Sequence, residues 1–184
     1  TIDTRTRAFK TIIRNRCGHG GILAEGGGLL KHGENGRGIA SRWYPSTLEK
    51  RIRTIHSMKD RIRFTQEDAF ELIEQYKHDN SVCQFVDPPY TAGKKGKRAG
   101  KRLYRYSDID HENLFKLMSE VNGDFLITYD NDPEVLELAT SNGMKSALIP
   151  MKNTHNTTMN ELLISKSMQW MEEEENLQTE LFSS

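Results

Sequence analysis

Asp87-Pro88-Pro89-Tyr90 is the tetrapeptide of this 184-residue chain whose types and spacing could do chemistry. Two prolines fix φ at successive positions, and Pro88 also pushes Asp87 away from helical geometry. The backbone here is stiff, with its carbonyls aimed in set directions. A carboxylate beside a carbonyl makes two acceptors, which suits a planar amino group with two N–H donors. Tyr90 offers a ring face on which a flat base can stack. The same four residues also suit a plain strand end closed by a rigid turn, with Tyr90 packed on the domain. Behind them, 94–105 holds seven basic side chains and no acid: Lys94, Lys95, Lys97, Arg98, Lys101, Arg102 and Arg105. That run is either a solvated charged loop or a surface that grips phosphates, and its position directly after the tetrapeptide favours phosphate contact. Tyr104 and Tyr106 suit base stacking and loop anchoring equally.

Such residues need a scaffold. The apolar run 82–86 reads as a buried strand that delivers Asp87 to its carboxyl end, where Pro88 stops it. Alternation over 61–66 predicts another strand, with Asp68 just beyond it, and 124–130 a third, ending in Tyr129 and Asp130. In open α/β sheets ligands sit outside the carboxyl ends of the strands, so these carboxylates and Tyr129 are expected to rim one crevice. Helices are predicted over 6–16, from a Ser46–Glu49 capping box after Pro45, over 69–77, over 109–121 with Ser107 or Asp108 as cap, and from Asp132-Pro133 to near Gly143. The last strands, 146–151 and 161–166, are joined through the polar loop 152–159 and should pair antiparallel. Strands alternating with helices imply an α/β fold with a largely parallel sheet.

Composition narrows the setting. Lys and Arg balance Asp and Glu at 26 each, yet residues 1–105 hold 22 basic against 11 acidic side chains and 106–184 hold 4 against 15. A basic half interleaved with Trp43, Tyr44 and Tyr90 fits a surface facing a polyanion, and equally a dipolar solvated protein. The glycine-rich stretch 18–38 follows no strand, so it reads as a loop made for close approach rather than as a nucleotide fingerprint. Cys83 lies in an apolar run and reads as a small buried hydrophobe. Cys17, His19 and His32 lack metal-ligand spacing, so no metal site is expected. Two lone cysteines point to a reducing cytoplasm, and no apolar run is long enough to span a membrane.

Residues 8–168 resemble the DNA adenine-N6 methyltransferases of the DNA adenine methylase class. DPPY at 87–90 matches that family's catalytic motif. "AFKTIIRNRCGHGGIL" resembles its Asn-Arg pair followed by a Gly-rich turn, and "SRWYPSTLEKRI" the segment leading into the next helix. Asp68 in "TQEDAF" matches the acid that meets the adenine amino group of S-adenosylmethionine. Ala69 stands where the family often has an aromatic, and Phe70 is one further on. Glu161 in "NELLISK" begins the family's closing Glu-Leu-Leu.

The resemblance implies methyl transfer from S-adenosylmethionine to N6 of an adenine flipped out of duplex DNA. Asp87, Pro88, Pro89 and Tyr90 would be catalytic, Asp68 and Asp87 cofactor-binding, and the basic side chains of 94–105 DNA-binding, with no metal. The implied fold is an incomplete Rossmann-like methyltransferase sheet, mostly parallel with an antiparallel last strand and helices on both faces. It divides into a basic, Gly-rich remnant of or link to a DNA-recognition region (1–45), a catalytic α/β part (46–170) and an acidic tail (171–184). The implied setting is a bacterial or phage cytoplasm, at the nucleoid, in DNA adenine methylation or restriction–modification. RNA adenine and protein glutamine methyltransferases match less well, because those families more often carry Asn where Asp87 stands.

The family's Gly-rich methyl-donor loop and its ribose-holding acid are missing. In the family's sheet, their strands lie between those of Asp68 and Asp87. Their loss should leave an edge strand without a neighbour and an open apolar cleft. The chain, which opens on Thr1, is therefore expected to be a piece of a longer enzyme, one subunit of a split enzyme whose second chain carries the Gly-rich motif, or a non-catalytic DNA-binding or partner subunit.

Overall fold

The computed structural model describes residues 2–23, 27–33, 36–89, 109–152 and 158–171. They divide into two compact units, 2–66 and 67–171. The sequence-based division at 45/46 thus differs from the structural one at 66/67.

In the first unit, α1 (Thr4–Cys17) is capped by Asp3, whose carboxylate accepts from the Thr6 amide at 3.0 Å. The glycine-rich stretch folds back on this helix. Arg42 Nη1 donates to the Gly18 carbonyl (2.7 Å), Asn15 Nδ2 to Gly21 (2.9 Å) and Arg14 Nη2 to Leu23 (3.1 Å). Gly21 has φ 76°, a left-handed conformation that favours glycine. Arg16 Nη1 donates to the Tyr44 hydroxyl at 2.9 Å, with its guanidinium 5.2 Å from that ring's centroid. Arg14, Arg16 and Arg42 therefore serve the unit's own loops.

Helix α2 (Pro45–Ser57) starts two residues earlier than the Ser46 capping box implies. Proline is well suited to the first helical position, where its missing N–H is no loss. Tyr44 takes the cap position, and Glu49 instead pairs with Arg53 at 2.7 Å one turn on. The strand expected over 61–66 is absent. Lys59–Arg61 form a 3₁₀ turn, the following residues are irregular, and Phe64 is 88% exposed. Alternating side chains make a strand only when a neighbouring strand takes up the backbone hydrogen bonds, and none of the described residues does so.

The second unit is α/β. Asp68 caps α3 (Ala69–Tyr76), Asp110 caps α4 (His111–Ser119) and Asp132 caps α5 (Pro133–Ser141), each through its carboxylate. Asp110 takes the place assigned to Ser107 or Asp108, which lie outside the described residues. The strands are β1 (Gln84–Val86), β2 (Phe125–Asp130), β3 (Lys145–Lys152) and β4 (Thr158–Ser165), in the order β1-β2-β4-β3.

The pair β1–β2 is parallel, while β2–β4 and β4–β3 are antiparallel. The expectation of a largely parallel sheet is corrected to a mixed one. The pairing of β3 with β4 was anticipated, but β4 rather than β3 docks beside β2, which makes two of the three pairings antiparallel. Helices on both faces are likewise not seen among the described residues. Buried residues of α3, α4 and α5 join one core with alternate residues of β2: Ile73, Leu114, Phe115, Met118, Val135 and Ala139 meet Phe125, Ile127 and Tyr129. Leu162 and Ile164 of β4 complete that core.

The connection into β1 is tight. Gly123 passes so close to the Val82 carbonyl oxygen that a Cβ would run into it. The Gln84 amide donates to the Asp124 carbonyl at 2.9 Å, which locks the parallel register at its start.

Candidate functional site

Parallel pairing builds the site. Register runs Gln84↔Phe125, Phe85↔Leu126 and Val86↔Ile127, so the next residues, Asp87 and Thr128, fall side by side. Thr128 Oγ1 donates to Asp87 Oδ1 at 2.8 Å. Asp87 is exposed, Pro88 is buried and Pro89 half-buried, so the prolines anchor a carboxylate that faces out.

A cavity of about 430 Å³ opens between α3 and β1. Its walls are almost wholly apolar, with Phe70, Ile73 and Tyr76 from α3, Val86, Pro88 and Pro89 from the strand end, and Ile109 and Leu114 at the start of α4. Asp87 stands on its wall. Asp68 sits at the N-terminus of α3, whose first residues, Ala69 and Phe70, also line the cavity. Its Oδ1 accepts from the Phe70 amide at 2.8 Å. Asp68 thus does structural work as a cap besides any contact to a ligand. The aromatic that the sequence places one residue late, Phe70, does reach the cavity.

Among the described residues β1 pairs with β2 alone, so its other edge carries unpaired backbone groups. Phe85 on that strand is 67% exposed, and the Gln84 side-chain amide nitrogen is buried with no hydrogen-bond partner. Cys83, expected in the interior, is exposed for the same reason: the strand it introduces has no neighbour on its outer side among the described residues.

Comparison with protein-family models and with curated proteins finds no match to this chain. The site is therefore read from its own geometry.

Tyr129 does not rim the crevice as expected. Its ring is 1% exposed, lies 5.7 Å from the Phe115 ring and belongs to the core. Its hydroxyl shares a 2.7 Å hydrogen bond with His111 Nδ1. Strand alternation explains this: Phe125, Ile127 and Tyr129 point to the helical face, and Thr128 and Asp130 to the other. Thr128 and His111 were not picked out from sequence. The period-2 rule applied to a parallel neighbour could have found Thr128; His111 carries no comparable signal. Tyr90, the seven basic side chains from Lys94 to Arg105, Tyr104 and Tyr106 lie outside the described residues, as does the acidic tail beyond Met171.

Asp130, at the end of β2, has a raised pKa. Partial burial of its carboxyl is the main cause and the nearby Asp132 charge the second. The ionised form is thus disfavoured in the fold, and the folded state is penalised at any pH above the raised value. Asp130→Asn should raise the melting temperature at pH 7, and the gain should vanish as pH falls toward the ordinary carboxylate value of 3.8. Solvent screening limits the gain to roughly 0.5 kcal/mol. Thermal melts of both proteins across pH 3–8 check this, and a gain that grows on acidification would refute it.

No helix among the described residues is long and apolar enough to cross a membrane.

Proposed function

We propose that this chain carries the acceptor-base half of an adenine-N6 DNA methyltransferase that uses S-adenosylmethionine. The observation that carries the reading is Asp87-Pro88-Pro89 at the carboxyl end of a parallel strand, on the wall of an apolar cavity, with the carboxylate held by Thr128. The N6 lone pair of adenine is delocalised into the ring and is a weak nucleophile. Accepting its N–H groups on the Asp87 carboxylate and the Pro88 carbonyl favours a more tetrahedral nitrogen and offsets positive charge as it develops. Tyr90 would stack on an adenine turned out of the duplex. Lys94, Lys95, Lys97, Arg98, Lys101, Arg102 and Arg105 would hold its phosphates. This chemistry needs positioning more than a general acid or base.

The cavity suits a flat purine: Phe70 lines one wall and Pro88 and Pro89 another, and Asp68 precedes Ala69 and Phe70 of that lining as the cap of α3. Asp68 and Phe70 would hold the adenine end of S-adenosylmethionine, and Asp87 lies on the same cavity. When bound, that cofactor supplies an electrophilic sulfonium methyl. The glycine-rich stretch sits beside α1 in the first unit, so it does not stand in for a methyl-donor loop after a strand.

A second reading, a DNA-binding or partner subunit without activity of its own, is favoured by the unpaired β1 edge and exposed Phe85. Under either reading that edge suits a strand from a second chain, or from elsewhere in a longer one, bearing the Gly-rich motif.

Incubation with methyl-labelled S-adenosylmethionine and duplex DNA separates the two. The chain is tested alone and with chains encoded beside its gene. Label on N6 of adenine is expected in at least the mixed reaction. Duplex binding without label in any mixture would leave the non-catalytic reading.

A further inference from the structure

We propose that Thr128 is a positioning residue for Asp87, fixing the torsion of its carboxylate; as a role in catalysis this rests on the methyltransferase reading above. The prolines after Asp87 restrain its backbone and leave its side-chain torsions untouched. Asp87 is exposed and directly follows a three-residue strand that, among the described residues, pairs on one side. The 2.8 Å bond from Thr128 Oγ1 to Oδ1 supplies a restraint from the sheet interior.

Thr128 is suited to this. It lies on β2, which is paired on both sides, by β1 and by β4. Its flanking residues, Ile127 and Tyr129, are 0% and 1% exposed, so its backbone is held on either side. A β-branched side chain keeps few rotamers, so its hydroxyl has a set direction. Parallel register puts that hydroxyl on the same side of the sheet as the Asp87 carboxylate, one strand away. Valine has the same shape without the donor, and serine keeps the donor with less bulk, so the two substitutions separate hydrogen bonding from packing.

The test combines two measurements on wild type, Thr128→Val and Thr128→Ser, with Thr128→Ala as second truncation should the valine variant not fold. The first measures the three-bond couplings to Asp87 Cγ by NMR on the labelled full chain, which report its side-chain rotamer without requiring activity. One rotamer is expected in wild type and Thr128→Ser, and averaging in Thr128→Val. The second measures steady-state methyl transfer in the transferring mixture. Thr128→Val should lower kcat about tenfold, as loss of a charge-assisted hydrogen bond does, with KM for DNA within about twofold of wild type, and Thr128→Ser should restore most of it. Unchanged couplings in Thr128→Val overturn the inference outright. Averaged couplings with an unchanged kcat also overturn it. One rotamer in wild type and averaging in Thr128→Val, with no methyl transfer by wild type in any mixture, sink the methyltransferase reading and leave the restraint on Asp87 standing.

Discussion

Asp87→Ala should abolish the proposed methyl transfer in the complete enzyme, to below about a thousandth of the wild-type rate, by removing one of two acceptors that would act on the attacking nitrogen. Duplex binding should stay within about twofold, because the proposed phosphate contacts elsewhere would carry most of the affinity. The fold should tolerate the change. Asp87 is exposed, lies just beyond β1, and its loss leaves Thr128, itself only half-buried, to seek water. Asp87→Asn is the informative companion. It keeps the shape and an acceptor oxygen but loses the charge that offsets positive charge on N6, so its rate should fall between wild type and Asp87→Ala. Single-turnover transfer with labelled cofactor measures the chemical step, and fluorescence anisotropy on a labelled duplex measures binding. Transfer by Asp87→Ala at more than about a tenth of the wild-type rate would remove Asp87 from the chemistry. Loss of binding in parallel with activity would mark the residue as structural instead.

What the sequence reveals of this site follows from which forces are local. N-caps are local: Asp132 before Pro133 is legible at once, because the cap needs only its own helix. The strand 124–130 is legible from its alternation, and its alternate residues, Phe125, Ile127 and Tyr129, enter the core as a period of two requires. The placement of Asp87 at a strand end is legible from Pro88. The failures need information from across the sheet. Residues 61–66 alternate just as well, but no described strand lies beside them, and Phe64 stays in solvent. Tyr129 shares a strand end with Asp130, and a single-residue step sends one inward and the other outward. The sequence pattern alone did not say which face the helices would cover. The hydroxyl that restrains Asp87 depends on register between strands some forty positions apart, which no window on the sequence contains.

Phe115→Ala should be the most destabilising truncation in the second unit, by about 3–5 kcal/mol. Phe115 is 0% exposed and lies in α4, which contacts both α3 and α5. Its ring stands 5.7 Å from that of Tyr129 at 37°, so removing it opens a void against the central strand as well as between helices. Close-packed surroundings relax only partly into such a void, which is why the penalty exceeds the transfer free energy of the ring. A domain of this size is stable by about 5–15 kcal/mol, so the loss is a large share of the whole. The site should suffer with the core. Leu114, the preceding residue, lines the cavity, and His111, at the first turn of the same helix, holds the Tyr129 hydroxyl at 2.7 Å. Loosening α4 therefore loosens the cavity wall and the strand bearing Thr128 together. Phe64→Ala is the matched control: the same truncation at an 88% exposed position should shift stability by no more than about 0.5 kcal/mol. Urea unfolding followed by circular dichroism, with the midpoint and slope fitted separately, measures both variants. A loss below about 1 kcal/mol for Phe115→Ala would mean that α4 does not pack on β2 as described, and the cavity that carries the methyl-donor assignment would lose its wall.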